Sequence, residues 1–361
     1  MYTVIFTITL IALSVFSWGF VNRSAPYPHM ASLLTLVEIR PYATVIYIML
    51  FAILFVCYIK ILTLVKQKKI SLHKLVRIIG IAAIVLFLGF PGFSYDVFNY
   101  MATAKVIYTW HENPYILMPI EIPDEPMLSY MHAANKTALY GPVWIMITAI
   151  PHYLGFGNPL LTVYLFKLLG VASFLGVLWL IWRLSEKSIW AIAFFALNPL
   201  VLTEILLSGH NDAVMMFFAL LSLYLLTKKK YIFSIAVFMC SILIKYATIL
   251  LVPIYLYALL KGIRKEIWVW SAIFMYIAFL LSPVREEIYS WYFVWPLTFL
   301  ALIPSESALV WLSYGFTFGL PYRLASFIYW REWSGLTPMV KKLITSIPPV
   351  ITGTYGYFKN R

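Results

Sequence analysis

A chain of 361 residues in which 63% are hydrophobic and only 11% charged lies far from a soluble domain, where about a quarter of residues are charged. That composition excludes a soluble globular enzyme and turns the net charge of +13 into a question of membrane sidedness and lipid attraction, not of a nucleic-acid partner. Apolar runs near or above the roughly 18 residues needed to cross a bilayer recur along the chain, predicting an all-α polytopic membrane protein of roughly 10 to 13 transmembrane helices.

The first run, TVIFTITLIALSVFSWGF, lacks a basic leader and is followed by NRSAPYP, so it reads as a retained helix and not a cleaved signal. Cys57 and Cys240 sit inside apolar runs and read as small core hydrophobes. Lys66, Lys68, Lys69, Lys74 and Arg77 form the strongest basic cluster. Arg183 with Lys187, Lys228 to Lys230, and Lys261 with Arg264 and Lys265 form the others. By the positive-inside rule each faces the cytoplasm.

Residues 3–20, 43–65 and 76–93 then run out, in and out, delivering residues 94–140 to the outer face. Val97 to Tyr108 reads as an interfacial helix lying along the surface. Residues 140–155, short and bounded by prolines, read as an interfacial or re-entrant helix. Beyond Arg183 the chain goes out over 188–206 and in over 212–227. The long run 231–260 leaves and returns, with Lys245 marking its outer turn and Pro253 lying beyond it. Residues 267–283 go out and YSWYFVWPLTFLALIP comes back. The expected organisation is 1–93 as N-terminal transmembrane helices, the third leading into the site, and 94–158 as an outer loop. Residues 159–305 form a transmembrane core, and 306–361 a C-terminal transmembrane region.

This path collects Asp96, His111, His210, Asp212, Lys245 and Arg285 at helix ends on one side. Ionisable groups at membrane level are costly, so their collection is a site hypothesis. Each also has a plainer explanation. Asp96 follows a Pro-Gly break and is either a helix cap or a general base. HENPY, residues 111–115, and YGP, residues 140–142, are rigid turns; as a site they supply Asn113, Tyr115 and Tyr140 to a polyhydroxylated group. In SGHND, residues 208–212, Asn211 or Asp212 is either a cap or a site residue, whereas a cap does not account for His210. Glu204, His210 and Asp212 lack a second histidine at ligand spacing, so no metal site is expected. Lys245 either snorkels or binds an anion, Arg285 either pairs with a neighbouring glutamate or does the same, and Lys167 is one more intramembrane cation. Tyr292 belongs to an aromatic stretch that is either an interfacial belt or the lining of an isoprenoid channel.

The order YDVFNY, HENPY, YGPVW, NPLVLTE, SGHND, IKYATILLVP and YSWYFVWPL resembles the GT-C superfamily of polytopic glycosyltransferases, in its bacterial and archaeal mannosyltransferase-like branch. The resemblance covers about residues 85–300. It implies an inverting transfer of a hexose, mannose favoured, from a polyprenyl-phosphate donor to a lipid-linked or glycan acceptor, at the extracytoplasmic face of the plasma membrane and without an essential metal or other cofactor. It implies Asp96 as the base, a single acid where other branches carry a pair. It places His210, Lys245 and Arg285 at the donor phosphate; Asn113, Tyr115, Tyr140, Glu204, Asn211, Asp212 and Tyr292 are the residues expected around sugar and acceptor. A transporter or lipid flippase is the competing class, disfavoured by the absence of an internal repeat and by the one-sided charges.

Overall fold

The computed structural model describes residues 1–21, 27–28, 30–122, 125, 128, 131, 133–284 and 287–359. Arg285, expected at the donor phosphate, lies outside the described residues. Among those described the secondary structure is helical, without strands. Among the described residues four helices are long and apolar enough to cross a membrane. They are the N-terminal one at Tyr2–Phe20, then Arg40–Lys66, Pro159–Leu184 and Lys265–Val284, with a fifth if a bent pair over residues 189–207 counts as one. The other apolar helices are shorter than a full span, so length alone does not reach the expected 10 to 13.

The helices are α1 (Tyr2–Ser17), α2 (Ala31–Glu38), α3 (Arg40–Lys66), α4 (Leu72–Leu88), α5 (Asp96–Tyr108), α6 (Pro142–Leu154) and α7 (Pro159–Leu184). Then come α8 (Ile189–Ala196), α9 (Pro199–Leu207), α10 (Asp212–Thr227), α11 (Tyr231–Ile244), α12 (Val252–Lys261) and α13 (Lys265–Leu281). The last four are α14 (Val294–Leu300), α15 (Ala308–Gly319), α16 (Arg323–Trp330) and α17 (Thr337–Lys359).

Local chemistry sets many boundaries. Ser71, Ser188 and Ser307 each accept a backbone N–H of the helix that follows, and Asn158 and Asn198 do so ahead of Pro159 and Pro199. A short side-chain oxygen satisfies a first-turn donor, and proline at the first position loses nothing because its N–H had no partner there. The Asn198–Pro199 break bends α8 against α9 by 53°.

The bundle has two ends. At one, the loops carrying Arg183, Lys187, Lys228, Arg264 and Lys265 surround one cavity. Lys66 lies at the same end, since its Nζ is 3.2 Å from Glu306 at the start of α15 and above the ring of Trp190 at the start of α8. At the other end, Gly92, Ser94, Asp96, Lys245, Tyr289 to Tyr292 and Arg323 line a second cavity. The basic loops expected to share a side therefore do.

The C-terminal region folds as an antiparallel pair. Gly315 and Gly319 of α15 lie against Pro349 and Ile344 of α17, and Gly356 lies against Trp311. A side chain at Gly315 would strike the Pro349 backbone, so the close approach needs glycine. Lys359 sits over Trp311, returning the chain to the basic end.

One expectation changes. Helix α5 is not an amphipathic surface helix, because Val97 to Ala104 and Val106 are all buried. Helix α6 packs along it, with the Tyr108 hydroxyl donating to Ile145 O at 2.8 Å, and Lys105 is tied to Glu125 at 2.8 Å. The hairpin over 231–260 turns at Lys245, whose extended backbone (φ −155°, ψ 120°) ends α11. Pro253, beyond it, occupies the first turn of α12.

Candidate active site

Asp96 opens α5 but caps nothing: the N-cap is Tyr95, and no side chain caps this helix. Its side chain is 21% exposed and lines the cavity, with Oδ2 3.8 Å from His210 Nε2. Ser94 joins the two, its Oγ lying 2.9 Å from His210 Nε2 and accepting the Asp96 backbone N–H at 3.4 Å.

His210 follows Gly209, whose φ of +76° is the left-handed turn the SGHND stretch requires. The ring is fully buried. Its Nδ1 faces Glu204 twice, with the backbone oxygen at 2.9 Å and Oε2 at 3.1 Å. One face stacks on Trp291, with centroids 4.3 Å apart and planes 19° from parallel. Glu204 lies on a π-helical turn, Leu202–Leu207, and its Oε1 accepts Ser290 Oγ–H at 2.5 Å. Such a widened turn presents a side chain that a regular helix would direct elsewhere. With both nitrogens engaged, His210 is not part of the cavity wall, where a donor phosphate would be met.

Asp212 does not cap either. It is fully buried, accepting Lys245 Nζ at 2.9 and 3.1 Å and Trp295 Nε1 at 2.6 Å. The Lys245 ammonium lies 4.5 Å above Tyr292, and both residues line the cavity. Tyr140 also lines it and packs edge-on against Tyr100, whose hydroxyl accepts the Asn211 N–H at 3.3 Å. Asn211 is buried, and neither side-chain polar atom finds a partner. Asn99, one helical turn beyond Asp96, lines the cavity with an unpartnered, buried Oδ1. It stands in the YDVFNY stretch, and its i+3 spacing from Asp96 was the available signal.

The cavity is about 510 Å³. Another part of its wall comes from the C-terminal region that sequence reasoning left unassigned: Arg323, Arg331, Trp333 and Lys341. Glu287 pairs with Lys341 at 2.7 Å and Arg323 at 3.4 Å, and Lys341 lies 4.6 Å over the Trp333 ring. These cations are far in sequence from any motif, which is why they were missed.

Other expected residues fall elsewhere. Asn113 accepts the Tyr115 N–H at 2.9 Å within its own turn, and Tyr115 donates to Tyr140 O at 3.0 Å. Both are exposed outside the cavity, as is His111. Lys167 is buried away from the cavity, donating to Leu86 O at 2.9 Å and to Gly89 O. It serves the C-terminal carbonyls of α4 and not an anion. Among the described residues no group of three His, Cys, Asp or Glu stands in position to hold a metal.

Burial raises the Asp96 pKa above the ordinary carboxylate value, with His210 and Lys245 opposing the rise. For His210 burial acts downward, but the hydrogen bond and charge of Glu204, with Asp96 and Asp212, outweigh it and leave the pKa raised. Asp96 is thus a partly desolvated carboxylate at a cavity wall, next to His210 and within electrostatic reach of Lys245.

The family model described as alpha-(1->6)-mannopyranosyltransferase, N-terminal domain, matches residues 3–261. Comparisons with curated proteins and with solved structures gave no match. The matched span includes Asp96, Glu204, His210, Asp212 and Lys245 and extends over well more than half of the chain, so this membrane protein belongs to the alpha-(1->6)-mannopyranosyltransferase family, a family of GT-C mannosyltransferases.

Proposed function

We propose that the protein transfers mannose from a polyprenyl-phosphate carrier to a hydroxyl of a lipid-linked or glycan acceptor, with inversion, at the extracytoplasmic face of the plasma membrane. The carrying observation is the Asp96 carboxylate at the wall of a cavity whose other lining includes Lys245, Arg323, Arg331 and Lys341. Asp96 takes the acceptor proton as the oxygen attacks the anomeric carbon. The phosphate departs from the other side of that carbon, so the step is one displacement. An α-linked product, which the family description names, then requires a β-linked donor.

The cations lining the cavity stabilise charge growing on the leaving phosphate, arginine in bidentate fashion. Lys245, already beside Asp212, is a lining cation within electrostatic reach of the base, and Arg323, Arg331 and Lys341 take the share expected of His210. Phe327 and Trp333, stacked at 4.1 Å on the same wall, suit the first isoprene units. Sidedness rests on the positive-inside rule, because the basic loops gather at the end remote from the cavity. We likewise propose that no divalent metal takes part.

The test is turnover with polyprenyl-phosphate mannose in reconstituted membranes. Asp96→Asn keeps expression and folding and abolishes transfer; retained wild-type turnover sinks the mechanism. Undiminished turnover in excess chelator is the outcome expected for the metal-free step.

A further inference from the structure

Among the described residues of the site, His210 is a fully buried titratable group that proton removal and phosphate binding leave without work. Its surroundings are unusual for a histidine. Nδ1 faces only acceptors, the Glu204 backbone oxygen and Glu204 Oε2, so Nδ1 carries hydrogen. On the other side Nε2 faces Ser94 Oγ at 2.9 Å and a second carboxylate, Asp96 Oδ2, at 3.8 Å. A neutral ring would bring a lone pair toward that carboxylate; a second proton turns the contact into an ion pair.

Charge counting over the neighbours agrees. Asp96 from α5, Glu204 from α9 and Asp212 from α10 bring three carboxylates, and Lys245 brings one ammonium. Tyr100 and Tyr140, also within electrostatic reach of Asp96, are neutral phenols, and Trp291, stacked on the ring, carries no charge. A neutral His210 leaves two uncompensated negative charges in a largely buried cluster; an imidazolium leaves one.

We propose that Glu204 and His210 form a buried positioning pair in which Glu204 holds His210 as an imidazolium, and the imidazolium, with Ser94, holds Asp96 ionised and oriented as the acceptor approaches. The inference rests on Asp96 being the base. His210 and Glu204 touch no substrate and act through Asp96, and Trp291 fixes the ring plane that aims Nε2. Burial by itself would keep a fraction of Asp96 protonated and useless as a base; the adjacent positive charge opposes this. The pair is assembled across the π-helical turn of α9, where the Glu204 side chain and its own carbonyl converge on one ring nitrogen.

The experiment is the pH profile of mannosyl transfer by the full-length protein in reconstituted membranes, for wild type, His210→Gln, Glu204→Gln and Asp96→Asn, with thermal melts alongside. Losing a positive charge this close moves the acid limb upward by about one pH unit or more. At acid pH His210→Gln then loses about tenfold or more, Glu204→Gln loses less because its own negative charge, which raises the Asp96 pKa, is removed as well, and both losses shrink as pH rises. Equal loss at every pH in folded protein overturns the pair, and so does an unmoved acid limb in either variant. If His210→Gln fails to fold, Glu204→Gln decides by the same limb, because a neutral amide at 204 no longer holds the imidazolium. An active Asp96→Asn is the separate result that removes the base reading itself, whereas an inactive Asp96→Asn with unmoved limbs removes only the pair.

Discussion

Lys245 and Asp212, 33 residues apart, meet in a two-pronged ion pair at 2.9 and 3.1 Å. The lysine reaches back from the break between α11 and the turn ahead of α12, and the aspartate stands at the first position of α10, so the pair fastens two helix ends at the cavity. Asp212 is fully buried and Lys245 partly so. Removing one partner of such a pair leaves an uncompensated charge and costs about 3–5 kcal/mol. We expect Lys245→Met and Asp212→Asn each to lower the melting temperature in detergent, and the double variant to lose clearly less than the two together. Additive losses would show that the pair carries no coupling.

Asn99 offers an acceptor with no protein partner to whatever occupies the cavity. One neutral hydrogen bond to a sugar or acceptor hydroxyl is worth about 0.5–1.5 kcal/mol, so Asn99→Ala should lower kcat/KM by roughly 2- to 12-fold. Its melting temperature should stay close to wild type. Unchanged kcat/KM for both donor and acceptor would remove Asn99 from the site.

Arg323 and Lys341 carry a different signature. Both stand in the cavity wall against Glu287, and a charged contact to phosphate is worth about 1.5–3 kcal/mol. Arg323→Gln should raise the KM for the phosphate donor by about ten- to a hundredfold while the acceptor KM holds. Equal effects on both substrates would assign these cations to structure alone.

Lys167 provides the contrast. Lys167→Met deprives the carbonyls of Leu86 and Gly89 of a buried donor, costing about 1–3 kcal/mol for each acceptor left alone. Stability should fall, whereas the donor KM of the folded fraction stays unchanged. A raised donor KM at unchanged stability would return Lys167 to the phosphate.

The wild-type pH profile follows from Asp96. Burial raises its pKa, and the opposing effects of His210 and Lys245 do not cancel the rise. A base works only when ionised, so turnover should fall as pH drops, with a midpoint above the ordinary value of about 4. An acid limb centred at or below that value would mean that a different group limits the rate.

The expectation of sugar transfer rested on short motifs whose order, from YDVFNY to SGHND, survives in a single chain. The residues of those motifs that are near one another in sequence, such as Asp96 with Asn99 or Glu204 with His210, had a visible spacing. Asn113 and Tyr115 had the right chemical types, but their turn satisfies itself through an Asx contact and a bond to Tyr140 O, and a satisfied turn has little reason to face a ligand.

Sequence by itself determined the membrane class, the helical architecture and the grouping of the basic loops, because apolar length and the cost of burying charge act locally along the chain. It also singled out Asp96, His210, Asp212 and Lys245, since ionisable residues in so apolar a chain stand out one by one. Tertiary structure alone decided what each does: Asp212 pairs with Lys245 instead of capping, His210 stands behind Asp96 with both nitrogens taken, and Lys167 closes the end of α4. It alone brought Arg323, Arg331 and Lys341 from the C-terminal region to the cavity. The physical reason is that a helix cap, an ion pair and a ligand contact draw on the same side-chain oxygens and nitrogens. Which of them wins depends on the groups that packing brings within about 3–4 Å, a distance that spacing along the chain does not encode.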